Sequence, residues 1–558
     1  MSINICLAQT ADELDFILKK VNEPVKVVSL DLSVFLYCVE NKIDYYDPIN
    51  LINRDFHFKI ISESDRLIKN INFGNLEYDA LRKEFASTIR LRFYNALFLL
   101  EVVNKINNQE KINKIYTSGW NKYTKEYSKE NYFLSYLAKE LFKQFNVQEL
   151  SSEIISTKKN KYFEYYLNLK SISNKKTIIL SNLGYNFSRI LFHAIKKGYK
   201  VILFTGEASK DFSLIKKLFF LFLGVQFIKF KKSGKTIENQ IVIPNINFKS
   251  ENISFSKILN DRKNEELNKL NTLNSKRKAL ENFFNKNEKI SMIFTYAARG
   301  IGGLMVEAGK NKSIPSICIH HGTIAKSFNN FDKIYKKINA DKSFSGKAKY
   351  FAIQSKITKD SLITHKIEGE PIETGNILFQ EAERKSPFFI MYAVTLKNFD
   401  NLSFLGDEMF YEFIENLKLF ESFTKKYKFK FLIKLHPSAA KHIDLLQKNF
   451  KNLKFTISDL KKNLQKCLLT ISYSSTVIED SLYCSVPVIL FDKWQRFKHC
   501  DSQLDPKVPN EAMYYVTNED DLLTAINSIK VSDKFNFTKY IYLNKYTENI
   551  NKLFKLID

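Results

Sequence analysis

The sequence predicts an α/β fold with parallel β-sheets. Short apolar, often β-branched runs are each followed by a stretch with helical periodicity, and this alternation continues along the chain. Strands of this kind are buried on both faces, which is typical of parallel sheets covered by helices. The predicted strands are 25–30, 114–117, 177–180, 201–204, 290–294, 314–319, 350–353, 388–392, 429–434, 468–471 and 486–491.

The length of 558 residues indicates several folding units, because single hydrophobic cores stop growing at roughly 250–300 residues. A polar stretch at 335–347 predicts a boundary between an N-terminal and a C-terminal α/β unit. The predicted units are an N-terminal α/β sub-domain at 1–170, the rest of the N-terminal domain at 171–340, a C-terminal domain at 341–535 and a helix at 536–558 that crosses back.

Basic residues outnumber acidic ones by 26, with 86 Lys and Arg against 60 Asp and Glu. This balance favours anionic partners, and a solvated lysine-rich surface is the alternative interpretation. The lysines are spread along the whole chain and no usual nucleic-acid motif is recognised, so no nucleic acid is expected as a partner. The six cysteines form no CxxC pair, which predicts neither a zinc site nor a disulfide framework and fits a reducing cytoplasm.

Residues 214–230 are the nearest approach to a membrane segment. Lysines and a glycine interrupt this stretch, and it falls short of the roughly 20 apolar residues that span a bilayer. We expect a buried helix followed by a strand, with contact to a lipid surface through the flanking lysines as the alternative. The N-terminus lacks a basic region before an apolar run, so no signal peptide is expected.

Ligands of open parallel sheets bind beyond the carboxyl ends of the strands, so the residues that follow each strand are site candidates. His436 and Pro437 follow the strand at 429–434. Lys434 and His436 alternate along an extended chain and therefore share one face. Together they suit a diphosphate or a leaving phosphate, whereas a histidine at an ordinary strand end is the alternative.

The hydroxyl triplet, Ser474, Ser475 and Thr476, lies between the strand at 468–471 and a helical run. Hydroxyls at a helix start cap its free N–H groups, and the same N–H groups with the helix dipole bind phosphate. Thr476 and Glu479 have the spacing of a capping box, which is the alternative interpretation. Glu479 and Asp480 lie one turn into this helix, and either is placed to accept hydrogen bonds from ribose hydroxyls, with an ordinary first-turn acid favoured by the helix dipole as the alternative.

His320 and His321 follow the strand at 314–319. Adjacent side chains of an extended chain point to opposite faces, so at most one of them faces a cleft. A histidine with an ordinary pKa of about 6.5 suits deprotonation of an acceptor hydroxyl, and a structural histidine is the alternative. Gly375 and Asn376 predict a turn whose N–H groups can contact a phosphate, and an ordinary turn is the alternative.

The order of these motifs resembles a superfamily of bacterial GT-B enzymes: IPSICIHHGT, IETGN, KLHP and then YSSTVIEDSLYCSVPVILFD. The superfamily includes the Kdo transferases of capsule and lipopolysaccharide, the GT-B sialyltransferases and the CDP-glycerol glycerophosphotransferases of teichoic acid synthesis. The resemblance covers residues 290–495. It implies two Rossmann-like domains with parallel sheets facing a central cleft, the C-terminal domain holding the nucleotide donor and the N-terminal one the acceptor.

The resemblance also implies roles for single residues. His436 and the hydroxyl triplet hold the donor phosphate, and Glu479 reaches the nucleotide sugar. In the polyol-phosphate transferases the histidine of the HG turn resembles the general base, which corresponds to His321 or His320. In the sialyltransferase-like members the base is a carboxylate of the N-terminal domain, for which Asp31 and Glu207 lie at suitable strand ends.

The implied function is a metal-independent glycosyltransferase without a cofactor beyond its nucleotide-sugar co-substrate. The favoured donor is a CMP-linked nonulosonic or Kdo-type sugar, and the acceptor is a surface glycan or a lipid-linked glycan. The implied location is cytoplasmic, with peripheral contact to the anionic inner membrane. The alternatives are a CDP-glycerol or polyol phosphotransferase, a UDP-sugar transferase or epimerase, and a non-catalytic glycan-binding protein.

Overall fold

A computed structural model describes most of residues 2–557. The residues outside this description are 75, 119–132, 151–175, 185, 206–213, 230–240, 245–246, 249–252, 287–288, 321–326, 328–329, 344–345, 365–366, 395, 397–408 and 496. The predicted base candidates Glu207 and His321 lie among them. In the described part of the chain, no helix is both long and apolar enough to cross a membrane.

The first unit contains a five-stranded parallel sheet in the order β3-β2-β1-β4-β5. A 3-10 turn at Pro48–Asn50 follows β3. Its elements are β1 Ile3–Leu7, α1 Ala11–Lys20, β2 Lys26–Val28, α2 Leu32–Asn41, β3 Tyr45–Tyr46, α3 Arg54–Lys69, α4 Asp79–Gln109, β4 Ile112–Ser118, α5 Phe133–Leu141 and β5 Asn146–Leu150.

The middle unit contains a seven-stranded parallel sheet in the order β14-β13-β12-β11-β6-β7-β8, beside an antiparallel ribbon of β9 and β10. Its elements are β6 Thr177–Leu180, α6 Ser188–Lys196, β7 Lys200–Thr205, α7 Leu214–Phe222, β8 Val225–Lys229, β9 Asn247–Phe248, β10 Ile253–Ser254, α8 Ser256–Asn285, β11 Ile290–Thr295, α9 Gly300–Lys310, β12 Ser316–Cys318, α10 Asn330–Ser343, β13 Tyr350–Ile353, α11 Lys356–Thr364 and β14 Glu370–Glu373.

The third unit contains a six-stranded parallel sheet in the order β17-β16-β15-β18-β19-β20. Two 3-10 helices, Pro437–His442 and Phe537–Lys539, occur in this part of the chain. Its elements are β15 Phe389–Ala393, α12 Phe410–Tyr427, β16 Phe431–Lys434, α13 Ile443–Asn449, β17 Lys454–Thr456, α14 Leu460–Leu464, β18 Cys467–Ser472, α15 Val477–Tyr483, β19 Val488–Phe491, β20 Met513–Val516, α16 Glu519–Val531 and α17 Tyr546–Phe554.

All three sheets follow one chain order. Counted within its own unit, each sheet begins 3-2-1-4-5, and the third completes the Rossmann order 3-2-1-4-5-6. The predicted α/β class with parallel Rossmann-like sheets is therefore confirmed, and each of the predicted strands overlaps a strand of the structure. The chain passes from the second sheet to the third between β14 and β15. The predicted domain bounds, including the one at 340, stay a prediction.

Helix α4 is the packing centre of the first two units. It is buried along most of its length, including Phe85, Phe93 and Ile106, because α3, α8 and α9 surround it. Helix α8 is strongly charged, yet one of its faces packs inward, since Leu270 and Leu280 are buried in the core.

Helix α7 is amphipathic and partly exposed. The predicted helix followed by a strand is confirmed as α7 and β8, but the predicted burial of the helix is wrong. Ile215 is 79% exposed and Phe222 is 89% exposed. Phe220, on the opposite side of this helix, is buried in the core and contacts Phe192 of α6.

His57 connects the first unit with the third. Its buried ring lies between two tyrosines, with Nδ1 2.6 Å from the Tyr94 hydroxyl and Nε2 2.8 Å from the Tyr411 hydroxyl. A neutral imidazole has one donor and one acceptor nitrogen, so one tyrosine accepts and the other donates. Buried polar groups paired in this way fix the positions of α3, α4 and α12 relative to one another.

Helix α17 returns to the middle sheet and closes over the turn at Gly375. Phe554 of α17 packs on Phe294 of β11, and the Asn549 amide donates to the carbonyl of Asn376 at 2.9 Å. Gly375 has φ +72°, and a Cβ there would lie 2.7 Å from the Asn549 amide. This turn therefore requires glycine for its conformation and for space.

Replacing Gly375 with Ala is expected to destabilise the fold more than replacing Gly198 with Ala. Gly198 has a similar φ of +82°, but a Cβ there would meet nothing within 4 Å, so it reports the conformational cost alone, about 1–2 kcal/mol. The clash at Gly375 adds to that cost. Chemical denaturation of both variants measures the difference, and equal losses would contradict this packing of α17.

Candidate functional site

The carboxyl edge of the third sheet gathers the main predicted phosphate-binding residues. Strand β15 is hydrogen-bonded to β16 on one side and to β18 on the other. The chain leaves β15 toward one side for β16 and later returns on the other side for β18, which makes this the topological switch point where Rossmann sheets bind ligands. His436 and the hydroxyl triplet follow strands two spacings apart, or about 10 Å.

Lys434 lies at the end of β16 and is half-buried. Its Nζ donates to the carbonyl of Leu435 at 3.1 Å. Burial lowers the pKa of Lys434, and the carboxylate of Asp459 opposes that shift. His436 is exposed just beyond the strand, and Pro437 begins the following 3-10 helix.

The hydroxyl triplet lies half-buried at the start of α15. Ser475 Oγ accepts the Val477 N–H at 3.3 Å, while Thr476, the N-cap residue, makes no side-chain cap bond. The capping box that we considered between Thr476 and Glu479 is therefore not formed. The N–H groups of Val477 and Ile478 are both bonded to Ser475, so the hydroxyls of Ser474 and Thr476 are the groups that this end of the helix offers to an anion.

Glu479 is fully buried one turn into α15. Its Oε1 lies 3.3 Å from Nε2 of His499, which is 3% exposed. Among the described residues, Glu479 Oε2 and His499 Nδ1 have no hydrogen-bond partner. Leaving such atoms unpaired in the protein interior costs about 1–3 kcal/mol each, which makes Glu479 and His499 candidates for contact with a bound molecule.

A double-mutant cycle of Glu479→Ala and His499→Ala is expected to show coupling. Each single change leaves the other member of the buried pair without its partner, so the losses of unfolding free energy should depart from additivity by about 0.5–3 kcal/mol. Urea denaturation of the four proteins measures this coupling. Losses that add to within about 0.5 kcal/mol would show that the two side chains do not interact.

Asp480 is the neighbouring buried acid, but its carboxylate is engaged. Oδ1 accepts the Gln380 N–H at 2.6 Å, which joins α15 to the segment before β15. Burial raises the pKa of Asp480 from 3.8 to about 7, against the Gln380 hydrogen bond, which lowers it, and with a further rise from Glu479. Asp480 therefore has a structural partner, unlike Oε2 of Glu479.

Asp480→Asn is expected to gain stability relative to the native protein as pH rises. The folded protein keeps a proton on Asp480 between pH 3.8 and about 7, whereas the unfolded chain releases it, so native stability falls across that window. Asn keeps the acceptor for Gln380 and does not ionise. Unfolding free energies measured at pH 5 and pH 8 should show that the stability gained by the variant over the native protein grows by about a few kcal/mol. The same stability difference at both pH values would contradict the assignment.

The middle unit reaches α15 through Gln354. The Gln354 side-chain amide donates to the carbonyl of His320 at 2.7 Å, and the hydroxyl of Tyr483 donates to the carbonyl of Gln354. His320 is half-buried at the end of β12. These two bonds, both to backbone carbonyls, connect the segment after β12 with the C-terminal end of α15.

Asp31 approaches the same region from the first unit. It is the N-cap of α2, and its Oδ1 accepts the N–H of Ser33 at 2.9 Å and the hydroxyl of Ser33 at 2.8 Å. It is also close enough to His442 to raise the pKa of that imidazole, which burial lowers. His442 ends the 3-10 helix that begins after His436. In this structure Asp31 therefore acts as a helix cap facing that segment.

Gly375 and Asn376 form a buried structural turn in this structure. The N–H of Gly375 donates to the carbonyl of Ile353 at 3.0 Å. The Asn376 amide donates to Glu381 at 2.7 Å and to the carbonyl of Phe379 at 3.0 Å. These bonds engage the polar groups that we predicted for a phosphate.

Sequence reasoning missed His499 and His442. Both are polar residues outside a recognised motif, and only their partners across the fold give them significance. A weak signal existed for His499, because it follows β19 in the chain and so returns to the same sheet edge. Among the described residues, no group of three or more His, Cys, Asp or Glu is placed to hold a metal ion.

No family model and no curated protein matches the sequence. Among solved structures, the UDP-GlcNAc 2-epimerase of Methanocaldococcus jannaschii, in complex with UDP-GlcNAc and UDP, is 12% identical, with 68% of this chain and 98% of the epimerase covered at a TM-score of 0.39. The wall teichoic acid polymerase TagF is 13% identical, with 68% and 84% covered at a TM-score of 0.34. A UGT of Arabidopsis thaliana, in complex with UDP, is 10% identical, with 69% and 100% covered at a TM-score of 0.41.

At these TM-scores the likeness adds nothing to what the chain's own strand order shows. That order defines the class: an α/β protein with Rossmann-like parallel sheets, the type predicted from the motifs.

Proposed function

We propose that this chain is a glycosyltransferase that takes a sugar from a nucleotide-activated donor, with the nucleotide bound at the ends of β15, β16 and β18. The observation that carries the proposal is the buried Glu479 carboxylate, whose Oε2 has no partner among the described residues. It lies one turn inside a helix that begins with the hydroxyl triplet. A carboxylate oxygen beside an anion-binding helix start suits a molecule that has both hydroxyl and phosphate groups.

The chemistry of a nucleotide meets each of these groups. Ribose hydroxyls donate to Glu479 Oε2, which removes the cost of its burial. Phosphate oxygens accept from the hydroxyl groups at the start of α15, where the positive end of the helix dipole also favours an anion. Lys434 and His436, at the end of β16, supply positive charge as the phosphate leaves.

The proposed reaction needs a base for the acceptor hydroxyl. We assign this role to the histidines after β12, because bonds through Gln354 hold the backbone of His320 to the third unit that carries the proposed nucleotide site. Asp31 is disfavoured because it caps α2, and Glu207 stays an open candidate outside the described residues. The nucleotide phosphate departs with the bonding electrons of the sugar–phosphate bond, and the acceptor oxygen forms the new bond to the sugar.

We further propose a CMP-linked nonulosonic or Kdo-type donor, because the HP histidine and the serine pair resemble those of the cytidine-nucleotide enzymes. The acceptor is proposed to be a surface glycan or a lipid-linked glycan, with the enzyme at the inner face of the membrane. The excess of basic residues supports an anionic surface or an acidic glycan as the neighbour.

A thermal-shift screen with CMP, CDP, UDP, GDP and ADP tests the proposal. A nucleotide at about 100 times its Kd should stabilise the folded protein by about 2.7 kcal/mol. We expect the largest shift with a cytidine nucleotide and its loss in Glu479→Gln and His436→Ala. Asp480→Asn is the matched control, because that buried acid on the same helix is already engaged by Gln380.

The other outcomes of the nucleotide screen would each indicate a different function. A shift with UDP alone would indicate a UDP-sugar transferase or epimerase, and CDP-glycerol turnover that depends on His321 would indicate a polyol phosphotransferase. No shift with any nucleotide would contradict the proposal and leave a glycan-binding protein. Release of CMP from a CMP-sugar in the presence of a glycan, abolished in His436→Ala, would establish turnover.

A further inference from the structure

A pocket opens at the edge of the third sheet where its strands begin. Its volume is about 870 Å³, and it is lined by the starts of β15 and β16, by β17 from Lys454 to Thr456, by residues around α14 and by the chain before β18. Parallel strands all begin at one edge and end at the other, so the part of the pocket at the starts of β15, β16 and β18 lies opposite the candidate nucleotide site. The strands that separate the two edges are four to six residues long, which corresponds to about 13–20 Å.

Five lysines line this pocket, which we call the lysine pocket. Its lining contains no aspartate or glutamate. In the described structure none of the five makes an ion pair, whereas Lys418 and Lys539 of the same unit are paired with Glu415 and Glu511. The lysines of the pocket are Lys430, Lys451, Lys454, Lys462 and Lys466.

Strand pairing arranges part of this charge in a row. Lys430 precedes β16, Lys454 begins β17 and Lys466 precedes β18, while Phe388 precedes β15 between them. The carbonyls of Lys430 and Lys466 accept from Ile390 at 2.8 Å and from Phe388 at 3.1 Å, which fixes this order. With neighbouring strands about 4.8 Å apart, the row is about 14 Å long and suits an extended ligand more than a single ion.

The row also contains an exposed aromatic ring. Phe388 is 56% exposed and packs edge-to-face on Phe389, with 5.1 Å between ring centroids. Lys430 Nζ lies 5.9 Å from the centroid of the Phe388 ring. An aromatic face among cations matches a ligand with both apolar C–H faces and negative groups, which is the chemistry of an acidic sugar chain.

We propose that the lysine pocket binds an acidic segment of the glycan on which the protein acts. This inference rests on the proposed function for the identity of the ligand as a glycan. The pocket holds the acceptor chain at a distance from the nucleotide site. Holding a second part of the same chain raises the effective concentration of its reacting end, so longer acceptors are used better than short ones.

Equilibrium binding of an oligosialic acid tests the proposal, with a neutral dextran oligosaccharide of equal length as the uncharged probe. The double variant Lys430→Ala with Lys454→Ala is expected to bind oligosialic acid about five- to tenfold more weakly than the native chain. The control double variant, Lys418→Ala with Lys539→Ala, removes the same charge from paired lysines and should bind normally. Equal loss in both variants, or no binding to the native chain, would overturn the proposal.

Phe388→Ala separates a glycan from other polyanions. It should weaken oligosialic acid binding and leave the binding of inorganic polyphosphate unchanged, because only a sugar has faces that contact the ring. Tighter binding of single-stranded DNA or of anionic phosphatidylglycerol vesicles than of oligosialic acid, lost in the lysine variant, would overturn the glycan assignment.

The thermal-shift screen with nucleotides distinguishes a failure of the lysine-pocket proposal from a failure of the proposed function. The lysine variant should retain the native melting temperature and the native nucleotide shift, since the nucleotide site is at the opposite edge. Loss of oligosialic acid binding with an intact nucleotide shift supports the pocket. Oligosialic acid binding in a protein that no nucleotide stabilises would reject the transferase while the pocket stands.

Discussion

The pairing of β15 with both β16 and β18 is the constraint on which the candidate site depends. Because the chain runs first to one side of β15 and then to the other, two strand ends distant in sequence meet at one edge. Backbone hydrogen bonds between the strands bring His436 and the hydroxyl triplet to that edge. The same pairing aligns the other ends of these strands, where Lys430, Lys454 and Lys466 lie in a row.

Two adjacent acids of α15 differ in how their buried carboxylates are paired. Asp480 has its partner in the Gln380 N–H and joins α15 to the chain that enters β15. Glu479 is also buried, yet only one of its oxygens has a hydrogen-bond partner among the described residues, the imidazole of His499. Burial without a full set of partners is unfavourable, which is why the proposed nucleotide site is centred on Glu479.

Strands such as β6 and β13 were predictable because their sequences are continuously apolar. The central strand β1 was missed, since Asn4 interrupts its apolar run, and so was the buried edge strand β20. Other edge strands were missed where burial is incomplete: β5 and β14 contain polar residues and β3 has only two residues. The hydroxyl triplet and His436 were predicted as site candidates because motifs and strand ends are local features. His499 and the lysine pocket were not, because Lys430, Lys454 and Lys466 are neighbours only after the strands pair.

Hydrogen–deuterium exchange with and without the nucleotide that gives the largest thermal shift tests the central claim most directly. If the nucleotide binds where β16 and β18 end, exchange should slow in peptides covering 434–442 and 472–483 and stay unchanged at 429–433 and 451–466, which border the opposite edge. Slowing confined to the first or middle unit, or to the peptides around the lysine pocket, would contradict a nucleotide site at the carboxyl edge of the third sheet.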